Sequence, residues 1–375
     1  MDPEPMLSEH PESAVSIEDR EDFRKDALGL GFLQVGFAPA AAPPHADAYL
    51  EWLSRGWQGE MRWMEREDSV RRRLDPREAL PGCRTLVMVS LGYAPTPEAE
   101  AAAVHDDVGR ALVAAYAAGR DYHLEFELRL ERLASLLRNR WPSAAAKPYV
   151  DYGPVLERDH AQRAGLGWVG KNTMLIHPKL GSWTLLGELL TTAEIPPDPP
   201  FEADRCGTCV RCIEACPTGA ITAPRELDAR LCISYLTIEL RGSIPEALRP
   251  GIGNRVFGCD ICQEVCPWND GVPAGELAGL AASWGGPVPS QSMMSWTEEL
   301  LDLSDDEFRS LYGETALARP GREGLLRNLC VGLGNSGDPA VLPVVMRCFD
   351  EKSPVVREHA AWALARLDTA RGVVS

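Results

Sequence analysis

No apolar run among the 375 residues reaches the roughly 18 that a helix needs to cross a bilayer. The opening residues, Met1-Asp2-Pro3-Glu4, are acidic, and no basic flank followed by an apolar stretch stands there. Neither a secretory leader nor a twin-arginine export signal is read from them. Basic charge is scarce: 38 Lys and Arg face 55 Asp and Glu, a net charge of -17. Such a surface repels polyanions as a whole, so a nucleic-acid partner requires a local basic face. Glycine (33) and proline (30) together stay below the roughly 25% that marks low-complexity chains. These absences lead us to expect a cytoplasmic, globular, monomeric protein of two or three domains, with no membrane partner.

Cysteine is what the chain has in unusual supply, with 11. In a cytoplasmic protein these are not disulfides. Cys206-x-x-Cys209-x-x-Cys212-x-x-x-Cys216-Pro217 is the bacterial ferredoxin run, and Cys259-x-x-Cys262-x-x-x-Cys266-Pro267 repeats it without the first cysteine. Cys232, between the two runs, supplies the missing ligand. Thiolates three residues apart on a curled loop reach three irons of one cube, and the cysteine after the x3 step turns to the other cluster. Cluster one therefore takes Cys206, Cys209, Cys212 and Cys266; cluster two takes Cys216, Cys232, Cys259 and Cys262. Zinc is the rival reading, but structural zinc favours two C-x-x-C pairs about 15–20 residues apart. Cys83, Cys330 and Cys348 lie outside any ligand run and read as core.

Along the chain we expect a flexible tail over 1–16, a catalytic domain over 17–200, a ferredoxin-like module with two 4Fe–4S clusters over 201–270, and a helical region over 271–375. Periodicity predicts a helix from Ile17, a strand at Phe32–Phe37, a helix at Ala46–Arg55 and a buried strand at Thr85–Leu91. Leu112 to Leu137 reads as helical segments interrupted by Gly119-Arg120-Asp121-Tyr122-His123. Strands are predicted at Pro148–Tyr152, Trp168–Ile176 and Trp183–Leu190, and a proline-rich linker at Glu194–Ala203. Leu326-Arg327-Asn328 and Val356-Arg357-Glu358 echo one another about thirty residues apart, as in HEAT-type helical repeats.

Five segments, taken in order, carry a more specific signal: V-D-Y-G-P-V-L-E-R from Val150, A-G-L-G-W-V-G-K-N-T-M-L-I from Ala164, G-S-W-T-L-L-G-E-L-L from Gly181, L-C-I-S-Y-L-T-I-E-L from Leu231, and G-N-R-V-F-G-C-D-I-C-Q-E-V-C-P-W-N from Gly253. With G-E-M-R-W-M and G-R-D-Y-H upstream, the chain resembles the epoxyqueuosine reductases from about residue 20 to about 370. The resemblance implies a cobalamin-dependent oxidoreductase that removes the epoxide oxygen of epoxyqueuosine at the wobble position of tRNA, leaving queuosine. It implies an α+β multidomain fold: an α/β cobalamin-binding catalytic domain, the two-cluster module and HEAT-like repeats. It also implies an anticodon stem-loop as partner and an external donor such as a flavodoxin or ferredoxin. The family is similar to reductive dehalogenases, so a corrinoid reductase of a small molecule is the alternative. The D-x-H-x-x-G signature of a histidine cobalt ligand is absent, since Phe126 stands where the glycine belongs.

On residue type alone, Asp151 before Gly153-Pro154 reads as a turn cap; the resemblance implies the general acid, with burial raising its pKa. Cobalamin contacts are expected from Arg73, Tyr116, Asp151, Lys171 and Asn172, with Ser234 and Asp260 at the seam with cluster two. Ala115 and Leu124 replace positive charges common in the family. His123 reads as a satisfied structural histidine. Arg241, Arg249 and Arg255 are the expected basic face for tRNA. Replacing Cys232 with Ala tests the ligand assignment: iron should fall from about eight toward about four per chain, following four irons per cubane. An unchanged iron content would show that the cysteines are wrongly grouped.

Overall fold

The protein is described as a computed structural model over residues 15–93, 109–272 and 292–372. Most of the expected tail, and the Gly/Pro-rich stretch 273–291, lie outside the described residues.

The strands in chain order are β1 (Gln34–Pro39), β2 (Thr85–Gly92), β3 (Leu112–Val113), β4 (Ala146–Tyr149), β5 (Trp168–Val169), β6 (Leu175–Ile176), β7 (Thr184–Thr191), β8 (Ile221–Ala223), β9 (Glu226–Leu227) and β10 (Arg255–Phe257). Four form the main sheet in the order β1-β2-β7-β4. Its pairings are all antiparallel. That corrects the α/β expectation for this part: the described sheet is of the α+β kind, because no crossover returns a strand parallel to its neighbour. β2 is buried on both faces, which its unbroken apolar character demands. Val87, Val89 and Leu91 meet Phe23 of the helix Ile17–Gly29 and Phe126, Leu130 and Leu133 of the helix Tyr122–Arg140. Leu86 and Met88 point the other way, onto Ala161 of the helix Glu157–Arg163 and onto Leu166. The alternation is the two-residue period of a strand. Gly187 of β7 lets Phe126 close in, for a Cβ there would sit 2.8 Å from the ring.

Two segments depart from expectation. Leu112–Ala118 is not helical: β3 is followed by a 3-10 turn at Ala115–Ala117, and the helix begins only at Tyr122, capped by the Asp121 side chain. The predicted strand Trp168–Ile176 is a hairpin of β5 and β6, because Thr173 takes a φ of +67° in the turn between them.

The cysteine-rich part consists of short helices and hairpins: Arg211–Glu214, β8–β9, Ile233–Ile238, Arg249–Ile252, β10 and Ile261–Glu264. It is joined to the preceding region by the parallel pairing of β10 with β3. The C-terminal helices Gly321–Ser336, Leu342–Phe349 and Pro354–Gly372 share a core of Leu326, Leu329, Val345, Cys348, Ala360 and Ala363.

Two polar residues of the echo seen in sequence lie inside that contact. Arg327 and Asn328 are wholly buried. Arg327 donates to the carbonyls of Leu236 (2.7 Å), Leu240 (2.6 Å) and Gly242 (2.9 Å). Asn328 donates to those of Thr237 and Val256, both at 2.8 Å. The helices thus satisfy backbone groups that the cysteine-rich part leaves open. Arg327→Met should lower the unfolding free energy of the apoprotein by about 2 kcal/mol or more, since hydrogen bonds from a charged donor are lost and buried acceptors are stranded. Denaturant titration followed by tryptophan fluorescence reads this, and an unmoved midpoint would reduce the network to decoration.

Candidate active site

A cavity of about 1750 Å³ opens between the sheet, the cysteine-rich part and the segment Gly313–Arg319, reached by Tyr116, Asp151, Glu157, Ile238, Phe257 and Arg319. Its floor is the loop that leaves β4. Asp151 there adopts a φ of +47°, uncommon for a residue with a side chain, which turns its carboxylate into the cavity. The side chain is 65% exposed, to the cavity. Oδ2 accepts from the Tyr122 hydroxyl at 2.8 Å and lies 3.7 Å from His123 Nε2. His123 Nδ1 meets Asp121 Oδ1 at 2.5 Å. The imidazole lies between the rings of Tyr122 and Tyr152, stacked with both.

Charge follows from these contacts. Burial works to raise the Asp151 pKa, but the facing His123 imidazole and the hydrogen bond from Tyr122 outweigh it and hold the carboxyl below its ordinary value. That corrects the expectation of a raised pKa: Asp151 is a carboxylate at neutral pH. Burial opposes the imidazolium of His123, yet the bonds to Asp121 and Asp151 push it up to about 9. Tyr122 is raised well above 10, by burial first and then by the Asp151 charge. The protons of this group therefore sit on His123 and Tyr122, beside an ionised Asp151.

Beneath the loop lie two more carboxyls. Glu157 Oε1 accepts the Asp151 N–H at 2.7 Å. Glu188 of β7 is wholly buried, and neither of its carboxyl oxygens has a hydrogen-bond partner among the described residues. Glu157 is pushed up to about 8, by burial first and then by Asp151; Glu188 is raised well above the carboxylate range, by burial first and then by Glu157.

The other predicted residues divide. Tyr116 and Arg241 reach the cavity. Arg73 also borders it, but is buried, donates to Ser69 Oγ and lies 3.5 Å from the Gly153 carbonyl, so it braces the Asp151 loop. Lys171 and Asn172 do not border the cavity. Lys171 Nζ is taken by the carbonyls of Gly207 and Cys209 (2.6 and 3.0 Å), and buried Asn172 donates to Cys262 O at 3.1 Å. They secure cysteine loops instead, because those loops carry carbonyls with no strand or helix partner. Asp260 accepts the Ala115 N–H at 2.7 Å, fixing the turn that presents Tyr116. Ser234 approaches the Cys232 thiol through its N–H and hydroxyl. Arg249 is buried, bonded to the Ile244 carbonyl and paired with Glu358 at 2.5 Å, so it cannot serve an external phosphate. Arg255 is half-buried in β10. Sequence reading assigned no role to Tyr122, Glu157 or Glu188 and undervalued His123. The available signal was the position of all four inside the G-R-D-Y-H, V-L-E-R and G-E-L-L segments.

Cys266 is pushed up by burial first and then by the nearby Cys206, Cys212 and Cys209; Cys262 is raised by burial and then by Cys259 and Cys232. Cys232 is raised by burial and then by Cys216. Among the described residues no three donors close on a single ion. Two neighbourhoods of four spaced thiols suit cubanes, which take one thiolate per iron. Trp168 Nε1 donates toward Cys206 Sγ at 3.5 Å, and Ala220 N–H toward Cys216 Sγ at 3.2 Å. Behind the cavity wall, Ile238 ends the helix that follows Cys232, and Phe257 stands two residues before Cys259.

Comparison with known proteins agrees with this arrangement. A family model described as a 4Fe-4S double cluster binding domain matches residues 205–269, and one described as epoxyqueuosine reductase QueG matches residues 73–152. The epoxyqueuosine reductase of Pseudomonas aeruginosa is 40% identical over 98% of this chain and 99% of its own. An epoxyqueuosine reductase structure with an epoxyqueuosine-modified tRNA-Tyr stem loop superposes with a TM-score of 0.79 at 30% identity, covering 93% of this chain and 90% of its own. That of Bacillus subtilis, with its catalytic aspartate loop swung out of the active site, gives 0.81 at 29% identity over the same shares. With this likeness running nearly end to end, the chain belongs to the epoxyqueuosine reductase family.

Proposed function

We propose that the protein reduces epoxyqueuosine to queuosine at the wobble position of tRNA, with electrons entering through two 4Fe–4S clusters and reaching cobalamin in the large cavity. The observation that carries this reading is Asp151, an ionised carboxylate with two proton-holding neighbours on the floor of a cavity whose wall backs onto the second cysteine group. The cavity has the volume for a corrinoid and mixes apolar walls with polar edges. Tyr116, Ile238 and Phe257 would bear on it, with Arg73 supporting the loop below. Cobalamin, when bound, supplies a strongly reducing cobalt centre.

Removing an epoxide oxygen as water consumes two electrons and two protons. The chain's own part is proton handling. Asp151 Oδ2 takes a proton from His123 Nε2 or the Tyr122 hydroxyl and presents it to the leaving oxygen, in general acid catalysis with a short internal supply. The Tyr122 bond and the Tyr152–His123–Tyr122 stack hold these groups in register. Arg241 at the cavity edge and Arg255 are the remaining candidates for phosphates of the anticodon stem-loop. With a net charge of -17, such binding depends steeply on salt. An external flavodoxin- or ferredoxin-type donor and a monomeric state complete the reading.

Asp151→Asn should retain iron and corrinoid but lower kcat on an epoxyqueuosine stem-loop by roughly 10²–10⁴-fold, the usual worth of a general acid. Single-turnover product analysis checks it, and parental activity in the variant would return Asp151 to a capping role.

A further inference from the structure

The G-E-M-R-W-M segment, residues 59–64, has no part in the proton chemistry proposed above. Packing accounts for most of it. Gly59 takes a φ of +59°, and a Cβ there would sit 2.4 Å from the Tyr235 hydroxyl. That hydroxyl accepts the Glu60 N–H at 2.8 Å, and Glu60 Oε2 accepts the Arg241 N–H at 2.8 Å. At the other end the Tyr49 hydroxyl donates to the Met64 carbonyl. The segment is thereby pinned to the cysteine-rich part on one side and to the helix Ala46–Ser54 on the other. Trp63 is what packing leaves over. It stands on the cavity rim in the single turn Arg62–Met64 and is 38% exposed. Among the described residues its indole makes no hydrogen bond and meets no other ring. Its partner is the Arg319 guanidinium, 5.3 Å from the ring centroid. Arg319 is itself tethered, donating to the Glu239 carboxylate at 3.0 and 3.1 Å.

The charge around this ring runs against the chain's net of -17. Arg62, exposed, and Arg241, bonded to the Ile238 carbonyl, form no ion pair among the described residues. The acids of the same stretch are occupied, Glu60 by the Arg241 N–H and Glu65 by Gln58 Nε2 at 2.7 Å. Unpaired bases are held by stacking on aromatic rings and guanidinium planes, and their phosphates by free cations. Drawing one base out of a loop also breaks its stack with the neighbour. Building on the function proposed above, we propose that Trp63, backed by Arg319, is the platform on which an anticodon-loop base flanking the wobble nucleotide stacks while the wobble base enters the cavity. The indole returns to the base left behind the stacking that it loses. Every base has a face to stack, so Trp63 sets the position of the loop rather than its sequence.

The test is a binding cycle on the full protein loaded with clusters and cobalamin, followed by the anisotropy of a labelled anticodon stem-loop. Trp63→Ala should raise Kd roughly 5- to 150-fold, the usual worth of one base stacked on an aromatic ring. Trp63→Phe should recover most of that loss. An abasic site at one of the two positions flanking the wobble nucleotide should weaken binding to the parent by a similar factor. The same abasic site should weaken Trp63→Ala no further, because the two changes remove one contact. A parental Kd in Trp63→Ala, a Trp63→Phe variant no tighter than Trp63→Ala, or losses that multiply at both positions would overturn the platform. Conversion of an epoxyqueuosine stem-loop is scored separately. Conversion by the parent without coupling in the cycle removes the platform and leaves the reaction. Coupling without conversion leaves the platform and removes the reaction.

Discussion

The turns and one-turn helices that carry the clustered cysteines, Cys212 and Cys262 among them, are too short to give all their carbonyls regular partners. Satisfying them without water is the constraint on which the rest of the molecule is arranged. Lys171 reaches across to Gly207 and Cys209, Asn172 to Cys262, and Arg327 and Asn328 to five carbonyls around the second cysteine group. Gln263 and Asn269 extend the pattern toward Ser182 at the start of β7. Donors thus come from the sheet side, from the C-terminal helices and, at Gln263 and Asn269, from the cysteine-rich part itself. The cysteine-rich part is therefore held as a wedge between two bodies, and the cavity is the space left where the three meet.

Within that space electrostatics separates proton holders from the charge they serve. A lone aspartate in an apolar pocket would rise in pKa and keep its own proton. Asp151 instead has a cation-forming ring and a phenol on one side and two acids behind. Its ionised state is stabilised, and the protons are one residue away. The left-handed turn at Asp151 is what lets one short loop face both groups, with its carboxylate toward Tyr122 and its N–H toward Glu157.

Sequence made the cysteine groups legible because cubane geometry maps onto fixed chain spacing, and β2 legible because its apolar run has no polar interruption. It hid what depends on distant partners. Arg249 reads as surface charge, but Glu358, over a hundred residues on, draws it inside. Lys171 and Asn172 follow a glycine and read as ligand donors, while the groups they bind are loop carbonyls that no pattern marks. Leu112–Ala118 is apolar enough for a helix, yet the pairing of β3 with β10 captures it as a strand. Glu188 looks like an ordinary strand residue until the fold buries it with no hydrogen-bond partner for its carboxyl among the described residues.

The β3–β10 pair bears on how the protein is made. Leu112 and Val113 pair with Arg255 and Phe257, Arg110 bridges to Ser292, and Arg120 bridges to Thr315. The segment that presents Tyr116 and leads into Asp121, Tyr122 and His123 is thus anchored by partners synthesised 143 to 195 residues later. On a ribosome that releases the chain from its N-terminus, the sheet can form early, but the active-site wall must wait for nearly the whole polypeptide. Iron–sulfur insertion faces the same order, since Cys266 completes the first group of thiols. A nascent chain stalled before Thr315 would lack the bridge that anchors Arg120 at the head of that segment.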